Sequence, residues 1–276
     1  MECTDHFLSG ESFQILSCDK CGLRFTNPRP TGNDLPSYYK SEEYISHSNI
    51  KKGLVNSLYH AVRHLTIKRK YNTVRRFASG RRILDIGCGT GELLNFFNQR
   101  GWTSTGIEPD RDARDYAASN YGLTITDLES LSLQQGAKFD VITMWHVLEH
   151  VNNLHDYLDK IKGLLDENGT FIVAVPNSES WDAKHYKEYW AAFDVPRHLY
   201  HFSRDSIHAL MSMHRFEWKK TLPMRFDAFY ISLLSEKYKS GKQNLLKGFF
   251  YGLYSNFRAL MNNGNYSSLI YVYKNR

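Results

Sequence analysis

Arg82-Ile-Leu-Asp-Ile-Gly-Cys-Gly-Thr-Gly-Glu-Leu-Leu94 is the stretch whose reading decides the fold. Ile83, Leu84 and Ile86 make a short apolar run of strand-forming residues, interrupted by Asp85 just before the turn. Gly87, Gly89 and Gly91 follow at every second position, with Cys88 inside the turn. Glu92 to Arg100 then reads as a helix burying Leu93, Leu94, Phe96 and Phe97. A strand that enters a helix through glycines lets backbone N–H groups approach a ligand that a β-carbon would keep away. About twenty residues on, a second strand, Thr103 to Ile107, ends in Glu108, placed to accept hydrogen bonds from ribose hydroxyls.

Dinucleotide binders carry G-x-G-x-x-G, whereas this turn is G-x-G-x-G preceded by an acidic residue. With Asp85, Gly87, Gly89, Gly91 and Glu108, the segment resembles the class I S-adenosylmethionine-dependent methyltransferases. The resemblance implies an α/β fold: a doubly wound, Rossmann-like seven-stranded sheet with an antiparallel last strand. It implies S-adenosylmethionine as cofactor, with S-adenosylhomocysteine as product. Cys88 and Pro109 join the cofactor site as chain neighbours of the turn and of Glu108. In the family, an acidic or amide side chain after the third strand meets the adenine amino group and the next N–H meets a ring nitrogen. Asp127 and Leu128 take those roles here, with Glu129 as the substitute.

Strand and helix signals alternate regularly after Arg82. A helix runs from Asp110 to about Tyr121 and stops at Gly122, and Leu123 to Thr126 makes the third strand. Phe139 to Trp145 is the fourth, followed by His146-Val-Leu-Glu-His150-Val151, which resembles the segment at this place in small-molecule methyltransferases. Ligands in open α/β sheets bind beyond the carboxyl ends of strands, so Trp145, His146 and His150 should border the site. A helix from about Leu154 to Leu165, closed by Asn168-Gly169, is expected before the apolar strand Thr170 to Val175. Phe216 to Thr221 and Ser268 to Tyr273 should form the closing hairpin, leaving 222–265 as a helical insertion read as a cap over the substrate side.

Residues 178–204 read as the substrate loop: long, rich in Trp and Tyr, and carrying His185, Arg197, His198 and His201. Proton removal from a hydroxyl or carbon acid needs a base near neutral pKa, so His150 leads the candidates, with His198 and His201 next. His198 and His201 lie three apart without acidic neighbours at a familiar ligand spacing, and no metal is assigned to them.

The chain of 276 residues divides into a partial zinc-ribbon-like segment (1–45), a helical lid or linker (46–80) and the methyltransferase domain (81–276). Cys18-Asp-Lys-Cys21-Gly22 is half of a zinc ribbon, and Cys3 with His6 could complete four ligands only on paper. The segment resembles one that precedes some small-molecule methyltransferase domains and carries a further C-x-x-C upstream. That pair is missing, so the turn is read as a metal-free remnant. Thr26 to Pro30 reads as a rigid linker, and Tyr38, Tyr39 and Tyr44 as lid residues.

Four cysteines are too few for a disulfide scaffold, no opening secretory pattern is seen and no apolar run could cross a bilayer, so a cytoplasmic protein is expected. The net charge of +6 raises nucleic acid as a partner, but Lys68-Arg69-Lys70 with Arg75 and Arg76 sits at helical spacing and reads as a solvated face. Lys237, Lys239, Lys242 and Lys247 beside apolar helix faces would suit a membrane surface, a role ranked below the cap. The aromatic loop points to a small sugar-, quinone- or lipid-like acceptor methylated at O or C. An RNA or protein methyltransferase is the alternative, weakened by the lack of an Asn/Asp-Pro-Pro-Tyr segment after strand four. A non-catalytic nucleoside-binding scaffold is the third reading.

Overall fold

A computed structural model describes residues 1–30, 34–39, 54–127 and 138–276. Three short strands, β1 (Glu2–Thr4), β2 (Ser12–Ser17) and β3 (Arg24–Asn27), open the chain as an antiparallel meander. A single helix, α1 (Leu54–Phe77), leads to the alternating region. There follow β4 (Arg82–Ile86), α2 (Glu92–Asn98), β5 (Thr103–Ile107), α3 (Arg111–Tyr121), β6 (Ile125–Thr126) and β7 (Phe139–Trp145). Next come α4 (Leu154–Leu164), β8 (Leu165–Pro176), α5 (Trp181–Tyr186), β9 (Tyr200–His201) and α6 (Arg204–Met213). The chain closes with β10 (Phe216–Pro223), α7 (Asp227–Ser240), α8 (Leu245–Met261) and β11 (Ser268–Asn275).

Local chemistry sets the helix ends. Asp110 accepts from the Ala113 N–H at 2.8 Å to start α3, and Gly122, at φ 63°, ends it. Ser203 and Ser206 form a reciprocal capping box on α6. α4 ends at Leu164, beside the expected Leu165, but Asn168 and Gly169 are not the stop that follows it. They lie within β8, which begins at Leu165 and reaches parallel pairing with β7 through a register shift.

The main sheet has seven strands in the order β10-β11-β8-β7-β4-β5-β6, with β11 antiparallel to both its neighbours and the rest parallel. Its central strands are buried on both faces, which explains their unbroken apolar runs. In β4, Leu84 and Ile86 face a cluster with Leu158 and Ile161 of α4 and Leu210 of α6, while Ile83 faces Val74, Phe97 and Trp102. β7 and β8 repeat the alternation, with Ile142 and Val173 on the first side and Val141 and Ile172 on the second.

The amino-terminal strands are not a detached remnant. They form a four-stranded sheet, β1-β2-β3-β9, whose last strand comes from the aromatic loop. Thr26 and Asn27, read as linker, belong to β3. Cys3 is buried in β1 against Phe13 and Trp190, whereas Cys18 and Cys21 sit at the turn after β2. His6 stacks on Tyr189 and Tyr238, so Cys3 and His6 do not meet the Cys18–Cys21 pair as a four-ligand set.

Candidate active site

The strand order reverses between β4 and β7, and the carboxyl ends of the parallel strands there create the crevice where α/β sheets bind ligands. Gly87, Gly89 and Gly91 all have positive φ, at 72°, 53° and 76°. At Gly87 a β-carbon would lie 2.4 Å from Val147 Cγ2, and at Gly91 2.8 Å from Leu123 Cδ1, so these two are fixed by packing. Gly89 differs: a β-carbon there would meet nothing within 4 Å. Its backbone therefore faces open space at the rim, the kind of cradle a close-lying ligand fills.

Glu108 crosses to that cradle. Its carboxylate accepts from the Gly89 N–H at 2.8 Å and the Asp110 N–H at 3.0 Å, leaving each oxygen a further acceptor position. Burial raises its pKa, and the two N–H donors work against the rise. Asp85 is fully enclosed beneath the turn and accepts from the Thr143 hydroxyl at 2.5 Å. Burial pushes its pKa up to about 6, while Thr143 and the Lys70 ammonium restrain the shift. Lys70, from α1, sits 4.6 Å from the Trp145 ring centre. The Trp145 indole N–H is buried without a hydrogen-bond partner. Cys88 is half-buried, its thiol pKa raised by burial and by Asp85 and Glu108. Pro109 is exposed, its carbonyl accepting from Arg114, and Asp127 follows β6 at the same rim. Leu128 and Glu129, and Tyr44 of the expected lid, lie outside the described residues.

The turn after β7 supplies the other wall. His146 adopts φ 59°, a left-handed conformation that costs a non-glycine residue about 1–2 kcal/mol. It is held by Asp227 of α7, 2.9 Å from Nε2, and by Glu149, 3.4 Å from Nδ1. Burial disfavours its cation, but the hydrogen bonds and charges of Asp227 and Glu149 prevail and lift its pKa to about 10. His146 is thus a held cation in the wall rather than a base.

His150 has the opposite character. Its Nδ1 lies 3.0 Å from the Arg197 carbonyl, which only accepts, so Nδ1 carries the proton and Nε2 keeps a lone pair. The Tyr39 hydroxyl is 3.0 Å from the same nitrogen. The His198 ring stands edge-on at 4.6 Å, its Nδ1–H donating to the Ala192 carbonyl at 2.9 Å, so its Nε2 is likewise the acceptor nitrogen. Burial, then the proximity of His198, push the His150 pKa down to about 4. His201 is turned to other work: Thr26 donates its hydroxyl proton to the His198 carbonyl, so it can only accept from His201 Nε2–H, at 3.0 Å. Burial drives the His201 pKa well below its usual value, and the ring packs on Phe193 between the two strands it joins. His201 Nε2 is thus engaged with Thr26 rather than turned to His150.

Glu149 was missed in the sequence. Its carboxylate is fully buried and neither oxygen has a hydrogen-bond partner with good geometry, while one ligand atom each from Glu149, His150 and His198 lie within 4.8 Å of one another. Burial raises its pKa, and the three neighbouring histidines more than reverse that. The acidic neighbour of His150 in the motif was its one visible signal. Arg197 was singled out only as part of a basic run. It is 2% exposed, clamps Asp5 at 2.8 and 3.3 Å and Asp194 at 2.7 Å, and so ties the first strands to the loop that positions His150.

A model of a family described as a methyltransferase domain matches residues 59–219. This chain belongs to that family. It is 37% identical over 109 residues to a ubiquinone biosynthesis O-methyltransferase of Glaesserella parasuis serovar 5, covering 36% of this chain and 46% of that one. A protein of the same description from Rickettsia prowazekii is 28% identical over 148 residues, with 49% and 57% covered. The chain thus spans about half the length of the curated relatives it matches. Among solved structures, the magnesium protoporphyrin IX methyltransferase of Synechocystis PCC 6803 with bound SAH superposes with a TM-score of 0.55 at 16% identity, over 87% of this chain and 97% of that one. The fold is the Rossmann-like fold of the S-adenosylmethionine-dependent methyltransferases, seven-stranded sheet included. No helix among the described residues is long and apolar enough to cross a membrane.

Proposed function

We propose that this chain methylates a hydroxyl of a small, quinone- or phenol-like acceptor, using S-adenosylmethionine, with His150 as general base. The observation that carries this reading is the contact of His150 Nδ1 with the Arg197 carbonyl: Nδ1–H donates to that oxygen, which leaves Nε2 able to accept a proton. The O-methyltransferase relatives support the acceptor class.

The open cradle at Gly89 and the spare acceptor positions of Glu108 fit an adenosyl group, with Asp127 at the adenine end. When bound, S-adenosylmethionine supplies an electrophilic methyl on a positively charged sulfur. The protein aligns the acceptor oxygen, excludes water and takes the proton. His150 Nε2 accepts the hydroxyl proton, and the buried Glu149 carboxylate favours the imidazolium as it forms. Tyr39 and the aromatic loop close this wall against solvent.

A His150→Ala variant should lose about 10²–10⁴-fold in kcat towards catechol- and hydroxyquinone-type acceptors. Calorimetric affinity for S-adenosylhomocysteine should stay within about twofold, since one contact with an adjoining wall contributes little there. Unchanged turnover in that variant would overturn the role of His150. Cofactor binding without transfer to any hydroxyl acceptor would point to the scaffold reading.

A further inference from the structure

Helix α8 is built inside out. The residues it turns to the protein are Gly248, Gly252, Ser255 and Ala259, all buried and spaced four, three and four apart. They are small because α7 lies very close: a β-carbon on Gly248 would sit 2.7 Å from Leu233 Cα, and one on Gly252 2.7 Å from Phe229 Cα. Ser255 donates to Asp182 at 2.7 Å and so fastens the helix to α5. The large apolar side chains point the other way. Leu246 is 73% exposed and Phe250 63%, with Phe249, Leu253, Phe257 and Leu260 beside them. Scattered exposed apolar residues need no explanation, but a whole helix face of them marks a surface made to be covered.

The charge around this face says what covers it. Lys237 and Lys239 end α7, Lys242 lies in the turn, Lys247 begins α8 and Arg258 is near its end. From Lys237 to the last residue the sequence holds no Asp or Glu, and Glu236 just before is buried. A second copy of the chain seated on this face would bring two sets of cations together with no carboxylate between them. An anionic lipid surface instead receives the aromatic and aliphatic side chains among its acyl chains while its headgroups meet the lysines.

We propose that the outer face of α8 docks the protein on an anionic lipid surface, lying along it rather than spanning it. The same helix pair reaches the active site from its other side. Asp227 at the start of α7 holds His146, and Tyr251 of α8 packs on Trp181 and His185 of the aromatic loop. A lipid-dissolved acceptor would therefore meet the loop without crossing water. The surface itself does not depend on which acceptor the site takes.

Co-sedimentation of the full chain with vesicles separates the outcomes. Vesicles of phosphatidylcholine with phosphatidylglycerol should carry the protein down, pure phosphatidylcholine far less, and added salt should release it. Replacing Phe249, Phe250 and Phe257 by Ser, or Lys242 and Lys247 by Glu, should each weaken binding to the anionic vesicles by about tenfold or more. All five residues are exposed, so unchanged circular dichroism and thermal unfolding serve as controls for folding. Equal binding by the wild type and the serine variant would overturn the proposal. So would a wild type that ignores both vesicles and runs as a dimer that the serine variant abolishes, which would assign the face to self-association.

Discussion

The two walls of the site are built by different means. The cofactor wall is mostly backbone: three glycines in left-handed conformations, the N–H groups of Gly89 and Asp110, and one carboxylate that gathers them. The proposed acceptor wall is side chain against side chain, and its contacts join distant parts of the chain. Asp5 meets Arg197, Thr26 meets His201 and Tyr39 meets His150, across separations of 192, 175 and 111 residues. A wall of backbone is set as soon as its strand and helix form. A wall of long-range side-chain contacts exists only when the whole molecule is assembled, and it can change its lining without disturbing the first.

If that division holds, damage to one wall should spare the other. The largest effect is expected at Arg197, which holds two carboxylates almost without solvent. Arg197→Leu should cost about 3–5 kcal/mol in stability, because the buried Asp5 carboxylate loses the cation that balances it. Urea unfolding measures the loss. At a temperature where the variant is still folded, affinity for S-adenosylhomocysteine should persist while turnover collapses, and parallel loss of both would erase the distinction.

Gly89→Val probes the other wall. A side chain at φ 53°, filling the space the ligand would occupy, should weaken cofactor binding by about 2–3 kcal/mol, or roughly hundredfold. Calorimetry should show this, with a stability loss of about 1–2 kcal/mol from the left-handed backbone alone, since no protein atom lies where the β-carbon would go.

Titration of the two motif histidines sharpens the contrast inside one turn. In nitrogen-15 spectra, His146 should stay protonated through neutral pH and release its proton near 10, while His150 should stay neutral until pH falls towards 4. The stability consequences are opposite in sign. The ordinary imidazole value in the unfolded chain is about 6.5. The His146 contribution is present below that value and fades as pH rises through about 10. For His150 the unfolded chain binds the proton first, so stability falls as pH drops from about 6.5 towards 4. A His146 that deprotonates near 6.5 would remove Asp227 and Glu149 from its environment. The smallest effect is expected at the amino-terminal turn: replacing Cys18 and Cys21 by Ser should shift unfolding by no more than about 0.5 kcal/mol, with no zinc in the purified protein.

This division also explains what could be read from the sequence. The glycine turn, Glu108 and the strand–helix alternation are local patterns, with partners within a few residues or one strand away. They led directly to the fold and the cofactor rim. The proposed base, His150, was reached through a short motif, but its hydrogen-bonded carbonyl lies 47 residues away. Glu149 stands between His146 and His150 in the motif, but its burial and its third histidine, His198 of the aromatic loop, have no local signal. His201 looked like a candidate for the complementary reason: a ring bound to Thr26 on the neighbouring strand of one sheet has the same sequence signature as a ring free to react. The start of β8 differs from the expected Thr170 because Asn-Gly is a stop signal only where a sheet does not already claim the backbone.

The pairing of Arg24 and Phe25 with His201 and Tyr200 makes one sheet of two segments that the chain keeps far apart. An engineer wishing to move this enzyme's acceptor preference into a relative could not graft the aromatic loop alone. The transplanted piece would arrive with an unpaired strand edge and an arginine lacking its aspartate. The first thirty residues and the stretch from Asp194 to His201 would have to move together, although most of the chain lies between them.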